Sequence, residues 1–166
     1  NEADQAIAHG FEALEANPNN AMLLYFTGLA YMVKDDTANA RKMMETALDN
    51  SGEDNTYLQS LIYAGLGDLY HKLMMSDVSD VAYEEAIKLD STNATAMNNY
   101  AYYLSERNEK LDLAEKLSKQ SNELDPSSGT FQDTYAWVLF KQEKYKEALK
   151  WMEKAVQSSS PFAVLF

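Results

Sequence analysis

Few side chains in this sequence are of types that do chemistry. The only histidines are His9 and His71, and there is no cysteine. His71 follows Asp68 by three residues, so a helix would place the two on one face. An imidazole beside a carboxylate can hold a metal or relay a proton; as a surface hydrogen bond the same pair has its commoner use. Lack of cysteine excludes disulfides, thiolate metal sites and a thiol nucleophile. The acidic pairs Asp35–Asp36, Glu84–Glu85 and Asp77/Asp80 fall at expected turns or exposed faces. There they read as helix caps and dipole partners, not as acid–base couples. No H-E-x-x-H, calcium loop, glycine-rich phosphate loop or G-x-S-x-G occurs. Asn93-Ala94-Thr95 has the form of a glycan acceptor, which matters only in a secreted eukaryotic protein. The residues therefore predict no catalytic site, no metal site, no cofactor and no enzyme.

The elements that would carry a binding surface are helices. At 166 residues, 46% hydrophobic and 24% charged, the chain can build a real core and is too apolar for disorder. Helix formers dominate, with 3 Pro and 6 Gly. No run of about twenty apolar residues occurs, so no transmembrane segment is expected. A net charge of -12 opposes nucleic-acid phosphates and anionic lipid surfaces. Residues 1–54 hold 3 basic and 10 acidic side chains, residues 129–166 hold 5 and 4. This gradient reads as a solvated surface, or as the acidic end of a long axis.

Small residues recur in phase. One series is Ala13, Ala47, Ala86, Ser121 and Ala155, with steps of 34, 39, 35 and 34. Pro18, Gly52, Ser91, Pro126 and Ser160 follow with the same steps. A third series, Gly28, Gly67, Ala101 and Ala136, is trailed three residues later by Tyr31, Tyr70, Leu104 and Leu139. A small residue lets a second helix approach closely, and a large one a turn later fills the space beside it. Ala40, Met43, Met44, Ala47 and Leu48 have the spacing of an amphipathic helix. One hairpin cannot bury such a stripe alone, so neighbours must stack.

A base period of 34 with small residues at fixed slots resembles the tetratricopeptide repeat (TPR), in which W-x2-L-G-x2-Y is followed by Ala, Phe, Ala and then Pro. The likeness covers essentially the whole chain. It departs from the family at the Trp slot, which holds Leu24, Tyr63, Met97 and Gln132, and at the Phe slot, which holds Gly10, Met44, Tyr83, Ser118 and Met152. These slots ask for volume, not chemistry. The resemblance implies an all-α, right-handed superhelical solenoid of antiparallel helix pairs and a protein-binding role.

The expected organisation is one array over residues 1–166: a half repeat at 1–20, repeats at 21–54, 60–93, 94–128 and 129–162, and the start of another at 163–166. Helices are predicted near 4–17, 21–34, 38–50, 55–73, 77–90, 94–107, 111–125, 129–142 and 145–158. Asn19–Asn20, Asp35–Asp36, Ser91–Thr92 and Ser127–Ser128 are candidate turns and caps. The step of 39 predicts an extension of the fourth helix at its N-terminus, back to about Asp54. The step of 35 predicts one extra residue in the turn at Asn108–Lys110. Asn1 is not a start methionine and the chain opens inside a repeat, so further sequence is expected before it. Pro161 and the apolar residues to Phe166 are expected to open a further hairpin.

In proteins of the resembled family, first helices line a concave groove. Counting from the small-residue slot puts Met22, Tyr25, Leu29 and Met32 there from the first hairpin, and Leu61, Ala64, Asp68 and His71 from the second. The third supplies Thr95, Asn98, Tyr102 and Ser105, the fourth Thr130, Asp133, Trp137 and Phe140. Tyr25 and Asn98 read better as groove than as packing; Trp137 and Phe140 read equally as groove or as packing against a neighbouring helix. The sixteen positions hold no Lys or Arg and only His71 as a potential cation, so the family's carboxylate clamp does not carry over. The expected partner is a protein or peptide, neutral to basic, with bulky apolar anchors. End-to-end self-association of repeat surfaces is the alternative. Asn99–Leu104 and Asp133–Leu139 look similar to bacterial TPR proteins, which leaves cytoplasm and periplasm both open.

Overall fold

The computed structural model describes residues 2–159. The expected hairpin start from Pro161 to Phe166 lies outside them. Among the described residues there are nine helices and no strand: α1 Glu2–Ala16, α2 Ala21–Val33, α3 Thr37–Asp49, α4 Thr56–Lys72, α5 Ser76–Leu89, α6 Ala94–Glu106, α7 Leu111–Leu124, α8 Gly129–Lys141 and α9 Tyr145–Ser159. Short links make α2/α3, α4/α5, α6/α7 and α8/α9 antiparallel pairs. Each helix begins within two residues of its sequence-expected start. The expected lengthening is present: α4 has 17 residues where α2, α6 and α8 have 13. The chain forms two compact units, Asn1–Asp90 and Ser91–Phe166.

In the first unit α1 packs on α2, α3 on α2 and α4, and α5 on α4, while α2 also meets α4. Its core gathers Leu24, Met44, Ala47, Ile62, Leu66 and Leu69. Met44, Ile62 and Leu69 are fully buried, each stabilising the fold by about 1.5–3 kcal/mol. The small-residue slots sit at the crossings. A Cβ on Gly28 would lie 2.9 Å from Met44 Cγ and 3.3 Å from the Ala40 carbonyl oxygen. One on Gly67 would lie 2.7 Å from the ring of Tyr83. Two buried hydroxyls tie α4 to α5: Ser79 Oγ donates to the Gly67 carbonyl and Ser60 Oγ to that of Ala86, each at 2.8 Å.

In the second unit α6 packs on α7 and α8, and α8 on α7 and α9. Ala101, Leu104, Val138 and Leu139 are fully buried and Ala136 nearly so. Gln132 fills its buried slot by donating from Nε2 to the Pro126 carbonyl at 2.8 Å, so an amide stands where the family places an indole. Asn122 donates to the Phe131 carbonyl at 2.8 Å, linking α7 to α8.

Each hairpin turn follows one plan. The residue two beyond the helix, Asp35, Met74, Asn108 or Glu143, has a positive φ. The next N–H donates back to a carbonyl five residues earlier: Asp36 to Tyr31, Met75 to Tyr70, Glu109 to Leu104 and Lys144 to Leu139, at 2.9–3.0 Å. This is the Schellman C-terminus, normally built on glycine. The extra residue of the third turn falls where expected, and Lys110 takes a second positive φ there. The first helices of the pairs begin on side-chain caps from Asn20, Asn55, Asn93 and Ser128. Ser91 and Thr92 form the expected turn, and the side-chain cap of α6 comes from the next residue, Asn93. Asn93 is only 9% exposed with its Oδ1 in the cap, so it is not displayed as a glycan acceptor would be.

Candidate functional site

The candidate residues fall on two faces, one in each unit. In the first unit α2 and α4 carry Met22, Tyr25, Leu29, Met32, Leu61, Asp68 and His71. Leu29, Met32 and Leu61 are half-buried and pack on the core cluster. Met22 is exposed. Tyr25 is not on display: it is 9% exposed, and a Cβ on Gly65 would stand 3.1 Å from its ring. Gly65 thus gives the tyrosine a bed in α4, a contact that counting along α2 alone cannot reveal. Burial pushes the Tyr25 hydroxyl up to about 12, helped by the Asp68 carboxylate. Asp68 is half-buried and accepts a short hydrogen bond from the Tyr83 hydroxyl, so this acid is engaged in the fold. His71 is half-buried at the end of α4. His9 lies 3.6 Å from Glu12, both well exposed.

In the second unit α6 and α8 lie side by side and form a more open receptacle. A pocket of about 490 Å³ is lined by Asn98, Tyr102, Asp133 and Trp137, with Asn99, Tyr103, Thr130, Thr134 and Met152 completing it. Asn98 lines this pocket although its side chain is only 4% exposed. Its Nδ2 donates to Asn99 at 3.3 Å, and its buried Oδ1 has no hydrogen-bond donor. Trp137 is half-buried, and its Nε1 has no acceptor. Tyr102 and Phe140 are exposed. The Tyr102 hydroxyl donates to Glu106 at 2.9 Å; that bond, then burial and the charges of Glu106 and Asp133, hold its pKa above the ordinary tyrosine value. Trp137 stacks on Phe140, centroids 5.6 Å apart at 15°, and Phe140 meets Tyr145 edge-on at 5.4 Å. Lys141 Nζ stands 5.0 Å from the Trp137 centroid.

A second pocket of about 350 Å³ adjoins the first, lined by Ala136, Trp137, Phe140, Tyr145, Ala148, Leu149 and Met152. Sequence reasoning confined to first helices missed the contribution of α9. The signal was present: Ala148, Trp151 and Ala155 face inward, while Tyr145, Leu149, Met152 and Val156 form an exposed apolar stripe on the other side. Met152, in the slot where family members carry Phe, is 38% exposed, unlike the fully buried Met44, Tyr83 and Ser118. Among the described residues, no three His, Asp or Glu side chains converge as a metal site requires. No helix of the described residues is long and apolar enough to cross a membrane.

Comparison with known proteins settles the lineage. Two family models, each described as tetratricopeptide repeat, match residues 82–116 and residues 61–93 and 133–161. The chain belongs to the tetratricopeptide-repeat family. A curated TPR-containing relative is the type IV pilus assembly protein PilF of Pseudomonas aeruginosa, 26% identical over 133 residues that cover 78% of this chain and 50% of PilF. The chain thus spans about half the length of that relative. Among solved structures, MamA superposes with a TM-score of 0.73 at 20% identity, covering 94% of this chain and 88% of MamA. YrrB, described as a TPR protein with an unusual peptide-binding site, gives 0.69 at 23% identity over 98% of this chain and 80% of YrrB. These likenesses establish the TPR solenoid fold. TPR proteins are protein-interaction scaffolds and are generally not enzymes, and this chain takes that general role from its family.

Proposed function

We propose that this TPR chain binds a peptide or extended protein segment on the face of α6 and α8, with Asn98, Tyr102, Asp133, Trp137 and Phe140 as the contact residues. The observation that carries the reading is the 490 Å³ pocket, where a buried acceptor, Asn98 Oδ1, and a buried donor, Trp137 Nε1, both stand without partners. Buried polar groups are normally paired, and a peptide group offers both a donor and an acceptor. The partner is neutral to basic with bulky apolar anchors, because aromatic rings and Asp133 line the site and no lysine or arginine does. In the first unit Met22 is the exposed candidate, and α2 and α4 are proposed as an accessory surface. The repeats are taken as 21–54 and 60–93 in the first unit and 94–128 and 129–162 in the second.

A peptide-array screen followed by titration tests this. Trp137→Ala should weaken the best ligand by about 2 kcal/mol or more, as loss of a buried aromatic anchor does. Asp133→Asn should act mainly on the association rate and its salt dependence. If the best ligands are acidic peptides that need a free C-terminal carboxylate, the site is wrong and the lysine-bearing end of α9, around Lys144, Lys146 and Lys150, becomes the better candidate.

The exposed stripe Tyr145, Leu149, Met152 and Val156 favours a second reading, end-to-end stacking of copies through α9. Light scattering over a concentration series separates the two. Stacking gives a mass that rises with concentration and is abolished by Leu149→Glu; peptide binding gives neither.

A further inference from the structure

The two adjoining pockets of the second unit differ in chemistry, and they share a wall. Trp137 and Met152 line both. On one side lie Asn98, Tyr102 and the Asp133 carboxylate, with Glu106 held against the Tyr102 hydroxyl at 2.9 Å. On the other side the lining is Phe140, Tyr145, Leu149 and two alanines, with no charged side chain. Lys141 Nζ sits over the Trp137 ring at 5.0 Å, and neither pocket is lined by a lysine or arginine.

We propose that these pockets are paired subsites reading two consecutive residues of an extended peptide, a basic one beside Asp133 and a bulky apolar one against Phe140 and Leu149. This rests on the peptide-binding reading above and adds the ligand's sequence grammar. Successive side chains of an extended chain point to opposite sides, so neighbouring residues fall on either side of a wall one side chain thick. The peptide group between them crosses the Trp137 edge. There its N–H can donate to Asn98 Oδ1, and its carbonyl can accept from Trp137 Nε1. Both atoms lie almost covered in the free protein. Met152, unbranched and 38% exposed, is the side chain able to swing aside. A basic residue suits the first subsite because the Asp133 carboxylate is the one charged side chain that lines it. The second subsite favours an aliphatic or aromatic residue, since its lining is almost wholly apolar and a charged group placed there would lose its water without an ionic partner.

The test uses end-blocked, fluorescein-labelled dodecapeptides of Gly and Ser with Arg-Leu, Leu-Arg, Arg-Ser or Ser-Leu at the centre, titrated by anisotropy. The tighter of Arg-Leu and Leu-Arg should bind at least tenfold better than Arg-Ser and Ser-Leu. Asp133→Asn should bring that peptide down to the Ser-Leu level and leave Ser-Leu unchanged; Phe140→Ser should bring it down to the Arg-Ser level. Trp137→Phe, which keeps an aromatic ring and removes the indole N–H, should weaken all four by a similar factor. An arginine advantage below twofold, or an Asp133→Asn loss shared equally by Ser-Leu, overturns the paired subsites. A separate readout protects the distinction from the broader reading: with Trp151→Phe, Trp137 is the only tryptophan. If array-selected ligands shift its emission while the basic-apolar pair has no advantage, the subsites fall alone. If no array ligand shifts it, peptide binding at this face falls with them.

Discussion

Consider what one methyl group does at Gly67. In an exposed helix interior, Gly→Ala stabilises by about 1 kcal/mol through backbone propensity alone. Here the added Cβ would meet three atoms of the Tyr83 ring, at 2.7, 2.9 and 2.9 Å, where an unstrained contact needs roughly 3.5 Å or more. The ring cannot retreat easily. Tyr83 is fully buried, and its hydroxyl is tethered to Asp68, the neighbour of Gly67 on the same helix, which holds the ring against the slot. Overpacking of this kind costs about 1–3 kcal/mol, so Gly67→Ala should be net destabilising by up to about 2 kcal/mol. Tyr83→Val ends at its γ carbons, short of the crowding atoms, and lowers stability on its own by about 3 kcal/mol. In that background the steric term is gone, and Gly67→Ala should raise stability by about 1 kcal/mol. The sign reversal, a coupling of about 1–3 kcal/mol, is the signature. Urea melts followed by far-UV circular dichroism measure it. Both tryptophans, Trp137 and Trp151, lie in the second unit, so their fluorescence is a control that should report a smaller change. Gly67→Ala stabilising both backgrounds equally would refute the assignment of this slot to the helix crossing.

Met74 holds φ 60° at the turn between α4 and α5 while its side chain is 86% exposed, so Met74→Gly should relieve backbone strain at little loss of burial and stabilise by about 0.5–1 kcal/mol in the same melts. The Glu115 carboxyl is held below its ordinary value chiefly by Lys144, 2.8 Å away. A lowered folded-state pKa means the contribution is complete above the unfolded value of 4.5 and is lost as pH falls through the lower folded value. Lys144→Gln should therefore flatten the fall in stability below pH 4.5, by a modest amount because the pair is partly solvated.

Much of the architecture was legible because it is written in period. The 34-residue phase of Gly28, Gly67, Ala101 and Ala136 requires one close crossing per hairpin, and the extra residues in the steps of 39 and 35 go mostly into the start of α4 and into the third turn. Turn conformation was less legible: Met74 and Glu143 take the left-handed position that glycine usually marks. The next N–H, donating back to Tyr70 or Leu139, closes the turn around that conformation, and composition gives no sign of it. The surface was read least well. Periodicity assigns a residue to a face but does not say how deep the neighbour lies. Tyr25 disappears because Gly65, on another helix, makes room for its ring. Asn98 sinks below the surface while its Oδ1 remains unpaired, a combination visible only in three dimensions. The stripe on α9 was missed because helices were sorted by position in the hairpin, although the spacing of Tyr145, Leu149, Met152 and Val156 marks a single face.

The central claim is that a peptide occupies the α6–α8 pocket, and chemical-shift mapping tests it most directly. Two-dimensional amide and indole spectra would be recorded as an array-selected peptide is titrated into the isotope-labelled protein. Occupation of the pocket predicts the largest shifts at the side-chain amide of Asn98 and the indole N–H of Trp137, with backbone shifts around Tyr102 and Asp133. Shifts confined to α7, or to the lysines of α9, with Asn98 and Trp137 unmoved at saturation, would contradict it.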